Sequence, residues 1–155
     1  MRYPLLLTLA GLSALLVADL GADAQAETYS ARQYYGAYAK HPKHSYTYRT
    51  YYYKPTPTYS GYKHHYAIYY PSKPKYVYYY NPYKKQYWGR CPSNTNGKPL
   101  YSLLAEKDRK GNIEDIDESA FPEPTDVPPL PDSTDGVKLD LPPDDLPTTS
   151  ALPGK

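Results

Sequence analysis

The sequence predicts a chain that is mostly disordered and of low complexity, with one small antiparallel β meander at about residues 61–116. Three observations lead there. Tyrosine supplies 22 of the 155 residues, against one phenylalanine, Phe121, and one tryptophan, Trp88. Between Glu27 and Leu100 the Val, Ile and Leu residues are Ile68, Val77 and Leu100 alone. A total of 18 prolines and a mean hydropathy of -0.79 oppose a packed aliphatic core. Any burial must use tyrosine rings, and each buried ring brings a hydroxyl that needs a partner.

The first element, residues 1–26, reads as a cleavable secretory signal. Arg2 precedes an apolar run from Leu5 to Val17, and small residues follow. Ala24-Gln25-Ala26 and Ala22-Asp23-Ala24 both fit a small-x-small cleavage site, so cleavage is expected after Ala26, with Ala24 as second choice. The apolar run is shorter than the ~20 residues that cross a bilayer, and Asp19 and Asp23 close it, which opposes an uncleaved anchor. No later stretch is apolar enough to span a membrane. The expected location is therefore outside the cytoplasm, in the periplasm, the cell envelope or the medium.

Residues 27–60 form a basic, tyrosine-rich, low-complexity arm. Tyrosines alternate there with Lys, His, Arg and Thr, and Pro55 and Pro57 break any helix. An extended or polyproline-like conformation is expected. Residues 61–116 carry the strand pattern. His65 to Tyr70, Lys75 to Tyr80 and Lys85 to Cys91 are strand candidates, separated by Pro71-Ser72-Lys73-Pro74 and Asn81-Pro82-Tyr83-Lys84. Alternation puts Tyr66, Ile68 and Tyr70 on one face, and Tyr76, Tyr78 and Tyr80 on one face, so both faces of the meander are aromatic. Leu100 to Glu106 reads as a fourth strand, with a short helix over Leu100 to Lys110 as the competing reading. Ile113 to Ile116 could pair back after the turn at Gly111. Residues 117–155 are an acidic, proline-rich tail without periodicity, expected to be disordered.

Charge is segregated along the chain. From Gln25 to Tyr101 twelve Lys and Arg residues face a single acid, Glu27; from Ser102 onward thirteen acids face five bases. The two blocks attract each other, or partners of opposite charge, at ranges set by salt. Cys91 is the only cysteine, so an internal disulfide is impossible; it is free or bridges to another chain.

Catalytic signatures are missing. The basic half offers Glu27 as its only acid, paired carboxylates occur only in the tail, and there is no glycine-rich phosphate loop. His41 and His44 flank Pro42, and His64 adjoins His65, without the defined spacing of a zinc site; they read as surface histidines. No cofactor, no metal and no enzymatic activity are expected. Basic residues among aromatics also describe a single-stranded nucleic-acid surface, but export argues against that partner.

The segment Tyr78-Tyr79-Tyr80-Asn81-Pro82-Tyr83-Lys84-Lys85-Gln86-Tyr87-Trp88-Gly89-Arg90-Cys91, with Tyr101-Ser102-Leu103-Leu104 and Glu106 to Gly111, resembles small tyrosine-rich exported proteins of planctomycete-type bacteria over residues 75–125. That group carries no assigned activity, so the resemblance implies no site residues. The stretch from Lys54 to Lys63 is similar in texture to mussel adhesive repeats and plant extensins, a likeness of composition without a fixed repeat.

The expected function is a non-enzymatic structural or matrix protein of the envelope, self-associating through tyrosine and charge-block contacts. Cys91 is the candidate for an intermolecular bridge. Tyr51, Tyr52, Tyr53, Tyr78, Tyr79 and Tyr80 are the candidates for stacking or oxidative cross-linking. The alternative is a binding module for an anionic cell-wall polymer, whose acidic groups would pair with Lys and Arg while its sugars stack on aromatic faces. A metal-loading role for the histidines ranks third.

Overall fold

Among the described residues eight strands form an antiparallel half-barrel sheet, seven following one another edge to edge and the eighth pairing beside them. The computed structural model describes residues 32–94, 96–143 and 146. The expected secretory signal and its cleavage site lie outside these residues. The strands are β1 (Gln33–Tyr35), β2 (Ala39–Lys40), β3 (Thr47–Tyr53), β4 (Lys63–Tyr69), β5 (Tyr76–Asn81), β6 (Gln86–Pro92), β7 (Leu100–Leu103) and β8 (Thr125–Asp126). The sheet order is β1-β3-β4-β5-β6-β7-β8, and β2 pairs with the other end of β3. No helix among the described residues is long and apolar enough to cross a membrane.

The expected meander is therefore the middle of a larger sheet. β4, β5 and β6 fall where strands were expected, and residues 33–53, expected to be a low-complexity arm, add β1, β2 and β3. Burial explains the difference. Along β3, Thr47, Arg49, Tyr51 and Tyr53 are buried while Tyr48, Thr50 and Tyr52 are half-buried. This period of two is that of a strand between two packed layers, with tyrosine standing where Val or Ile would ordinarily be.

One face, here face one, gathers Tyr51, Tyr53, Ala67, Val77, Tyr79, Trp88, Cys91 and Tyr101. Residues 127–141, expected to be part of a disordered tail, cross this face as a strap. Val127, Leu130 and Leu139 are buried against it. Leu130 N–H donates to Val137 O at 2.8 Å and Leu139 N–H to Pro128 O at 2.9 Å, so the strap doubles back on itself. It then reaches β1, where the Gln33 amide substitutes for strand backbone. Gln33 Nε2 donates to Lys138 O at 2.9 Å, and Asp140 N–H donates to Gln33 Oε1 at 2.8 Å. The two charge blocks meet here within one chain: Arg32 pairs with Asp135 at 2.5 Å and Lys63 with Asp132 at 2.8 Å, while Lys138 and Asp126 pair within the strap itself.

Face two gathers Ile68, Tyr78 and Tyr87, partly covered by Leu104, Ile113, Ile116 and Phe121. The fourth strand expected over Leu100 to Glu106 forms as β7 over Leu100–Leu103; the competing helix does not form, and Ile113 to Ile116 do not pair back as a strand. The chain makes three single 3₁₀ turns, at Glu106–Asp108, Ile113–Asp115 and Glu118–Ala120. Ile113 and Ile116 are both buried in the face-two cluster; residues three apart eclipse in 3₁₀ geometry, which suits anchoring better than strand alternation would. Arg90 locks this cover. Its guanidinium lies 3.7 Å from the centroid of Tyr76 and 4.0 Å from that of Phe121, and pairs with Glu118 at 2.6 Å. The Arg90 hydrogen bond holds the Glu118 carboxyl below its ordinary range.

Candidate functional site

The cover on face two is incomplete, and the open part is aromatic. Register places Tyr48 opposite Ile68, Thr50 opposite Tyr66, and Tyr52 opposite His64. It also places Tyr66 opposite Tyr80. Because alternate residues share a face, Tyr48, Tyr52, His64, Tyr66 and Tyr80 stand on the same side. All but Tyr80 join a row of ring contacts that runs along β3 and β4. Tyr34 stacks on Tyr52 at 4.7 Å between centroids, Tyr52 meets His64 at 6.1 Å, and His64 meets Tyr66 at 5.3 Å. Tyr66 meets Tyr48 at 5.5 Å, Tyr48 meets Tyr46 at 6.4 Å, and Tyr46 stacks on His44 at 5.6 Å. Every ring in the row is half-buried or exposed. Rings so spaced combine offset and edge-to-face geometries, which fixes the row without covering it.

At its Tyr46 end the row opens into a groove of about 740 Å³. Three separate stretches build its walls: residues 41–48, residues 66–72 and residues 111–115. On the floor the Tyr70 and Tyr87 hydroxyls hydrogen-bond at 2.6 Å, and burial pushes both phenols above their ordinary range. On one wall Asn112 Nδ2 donates to Asp115 Oδ2 at 2.9 Å, and Glu114 pairs with Lys73 at 3.7 Å. On the other wall the His41 and His44 rings lie 4.5 Å apart. Loss of solvent first, then His44 and Lys43, lower the His41 pKa, so its imidazole is neutral near pH 7. Flat rings, hydroxyls, an imidazole and carboxylates are groups that stack on sugar rings and bond their hydroxyls. Lys40, Lys43, Lys84 and Lys85 take part in none of the ion pairs among the described residues. Lys43 lies between the two groove histidines in the chain, and Lys84 and Lys85 follow Tyr83, which meets His64 beside the row.

The residues singled out from sequence divide sharply. Tyr51, Tyr53 and Tyr79 are buried on face one and Tyr78 on face two, so these four are core and cannot reach another molecule from the folded state. Their hydroxyls are used internally where partners are present: Tyr51 donates to Gln33 Oε1, and Tyr79 bonds Tyr35 at 2.6 Å. Of the six, Tyr52 and Tyr80 keep open surface on face two. Cys91 is buried in β6 opposite Val77, and burial pushes its thiol up to about 12. An intermolecular bridge through it would require opening the sheet. The histidines are not all on the surface: His65 is fully buried. His64 and His65 point to opposite faces, so they cannot share a ligand. Among the described residues no three His, Cys, Asp or Glu side chains group as a metal site.

Alternation in the sequence placed Tyr66 and Tyr70 on one face with Ile68, as observed, but sequence reasoning did not single out Tyr34, Tyr46, Tyr48 and Tyr83. Strict alternation within the Thr47 to Tyr53 run was the available signal. No protein family, curated protein or solved structure matches this chain in the comparisons made with each.

Proposed function

We propose that this is a non-catalytic, exported binding module that holds an anionic glycan polymer of the cell envelope along face two. The observation that carries this reading is the unbroken row of open rings from Tyr34 to His44, ending in the groove. An extended polymer meets a row of rings one sugar at a time, as single-stranded nucleic acid meets aromatic platforms. The lysines without ion-pair partners supply the attraction for its acidic groups, and no nucleic acid is invoked. The secretory reading of residues 1–26 supports an encounter with such polymers.

Self-association through tyrosines is the second reading. It is favoured by the exposure of Tyr34, Tyr59, Tyr62 and Tyr83, and disfavoured by the use of the acidic strap within the chain's own fold. A co-sedimentation assay with purified cell wall across a salt series separates the two. Binding is expected to fall steeply as salt rises, with the protein monomeric in the absence of wall. Tyr46→Ala and Tyr66→Ala are each expected to weaken binding about tenfold by removing a stacking platform. Salt-resistant oligomers formed without wall and without any added oxidant would overturn the binding module in favour of self-assembly.

A further inference from the structure

Tyr83 stands apart from the other tyrosines in two ways. It is the most exposed tyrosine among the described residues, at 58%. Its hydroxyl lies 2.9 Å from Nδ1 of His64, a strand away. The β5–β6 turn makes this possible. Asn81 Oδ1 accepts the backbone N–H groups of Tyr83 at 2.9 Å and Lys84 at 3.1 Å, and Lys85 turns the chain with a φ of 51°. The side-chain-capped turn projects Tyr83 over β4. The two rings meet edge to face with centroids 5.2 Å apart. His64 is itself held between Tyr52 and Tyr66. Tyr34 and Tyr59 are also exposed, but among the described residues no imidazole bonds their hydroxyls.

We propose that the Tyr83–His64 pair is a site of oxidative modification, at which two copies of this chain are joined by a Tyr83–Tyr83 carbon–carbon bond. A phenol loses an electron readily only if its proton leaves at the same time, and a base within hydrogen-bond reach takes that proton. With His64 in its Nε2–H tautomer, the Tyr83 O–H donates to Nδ1. Loss of solvent lowers the His64 pKa, which keeps the ring neutral and able to accept near pH 7.

The oxidant is of the peroxidase and hydrogen peroxide class. It removes one electron from Tyr83 while the phenolic proton passes to His64 Nδ1, leaving a neutral phenoxyl radical beside an imidazolium. Radicals on two molecules join between ring carbons ortho to oxygen. The hydrogen on each joined carbon then returns to its phenol oxygen as the ring regains aromaticity, and each imidazolium gives its proton to water. Two tyrosines thus yield one biphenol, two electrons and two protons, which reduce one hydrogen peroxide to two waters. The 58% exposure at a turn tip leaves an ortho carbon free to meet a second copy.

The test uses the purified protein, without cell wall, at limiting peroxide with a peroxidase. Dityrosine fluorescence, dimer on reducing gels and peptide mapping are read together. Tyr83→Phe is expected to lower the dimer yield about tenfold. His64→Gln keeps an acceptor for the hydroxyl but not a base, and is expected to slow the Tyr83 link by a similar factor while leaving other links unchanged. Near-ultraviolet circular dichroism establishes that both variants are folded. A dimer yield unchanged in Tyr83→Phe, a mapped link elsewhere, or undiminished Tyr83 coupling in His64→Gln would overturn the proposal. Because no polymer is present, none of these outcomes bears on the binding module.

Discussion

His65 is the residue whose position constrains the protein most. It sits on face one of β4 opposite Tyr51, with Tyr53 at 5.4 Å and Trp88 at 5.5 Å between ring centroids. Neither ring nitrogen has a hydrogen-bond partner. Burial lowers its pKa to about 3, so the folded chain carries it neutral. The unfolded chain takes up that proton near the ordinary value of about 6.5. Between those values the unfolded state binds more protons, so stability falls as pH drops through this window, by up to about 1.4 kcal/mol per pH unit. Urea unfolding measured from pH 7 to pH 5, above the range in which the carboxylates titrate, is expected to show this decline. His65→Phe, similar in shape and without nitrogens to satisfy, is expected to flatten it. An unchanged pH slope in that variant would assign the decline to other groups.

At the scale of elements, β6 carries the tightest fit. The ladder between β5 and β6 shifts register at Tyr79/Tyr80, which brings Trp88 into the face-one cluster beside Gly89 and Cys91. A Cβ added to Gly89 would stand 2.5 Å from Ser102 O and from Tyr101 Cε1. One neighbour is backbone and the other a fully buried ring, so neither yields cheaply. Gly89→Ala is expected to destabilise the protein by about 3 kcal/mol in denaturant titration. Gly36→Ala, whose Cβ would meet Thr50 O at an ordinary 3.7 Å, is expected to have little effect.

The legibility of the sequence also divides by element. β4, β5 and β6 announced themselves because proline and asparagine turns bracket runs that include Ile68 and Val77. β3 did not, because Tyr51-Tyr52-Tyr53 contains no aliphatic residue; its amphipathicity exists only as tyrosine against tyrosine, decided by partners that the local sequence does not name. The strap was hidden for the opposite reason. Val127, Leu130 and Leu139 are spaced irregularly among prolines and acids, and only the aromatic face they dock on makes them core. The groove was illegible because its walls come from stretches near residues 41, 66 and 111, none distinctive alone.

At the scale of the whole molecule, the question is what holds the acidic C-terminal part to the basic sheet. Attraction between the charge blocks is one answer, and burial under the strap is the other. The acids of the two pairs that join the blocks keep open surface: the Asp135 and Asp132 side chains retain 34% and 54% of theirs. Exposed pairs contribute about 0–1 kcal/mol each, less as salt rises. Burying Val127, Leu130 and Leu139 contributes about 1.5–3 kcal/mol for each side chain. Burial therefore wins, and charge sets where the strap lands. The Arg32 hydrogen bond lowers the Asp135 pKa to about 2, so this pair persists in mild acid and is lost only as pH falls toward that value. Trp88, the only tryptophan, lies in the cluster that the strap covers, and its fluorescence reports docking. Leu130→Ala is expected to destabilise the protein by about 2–4 kcal/mol and shift Trp88 emission to the red, with faster proteolysis of the strap. Asp135→Asn leaves Arg32 its bonds to Lys54 O and Pro55 O, and is expected to change stability less than Leu130→Ala does, with Trp88 emission unmoved. The reverse order of effects, or release of the strap by high salt alone, would make charge the force that closes the fold.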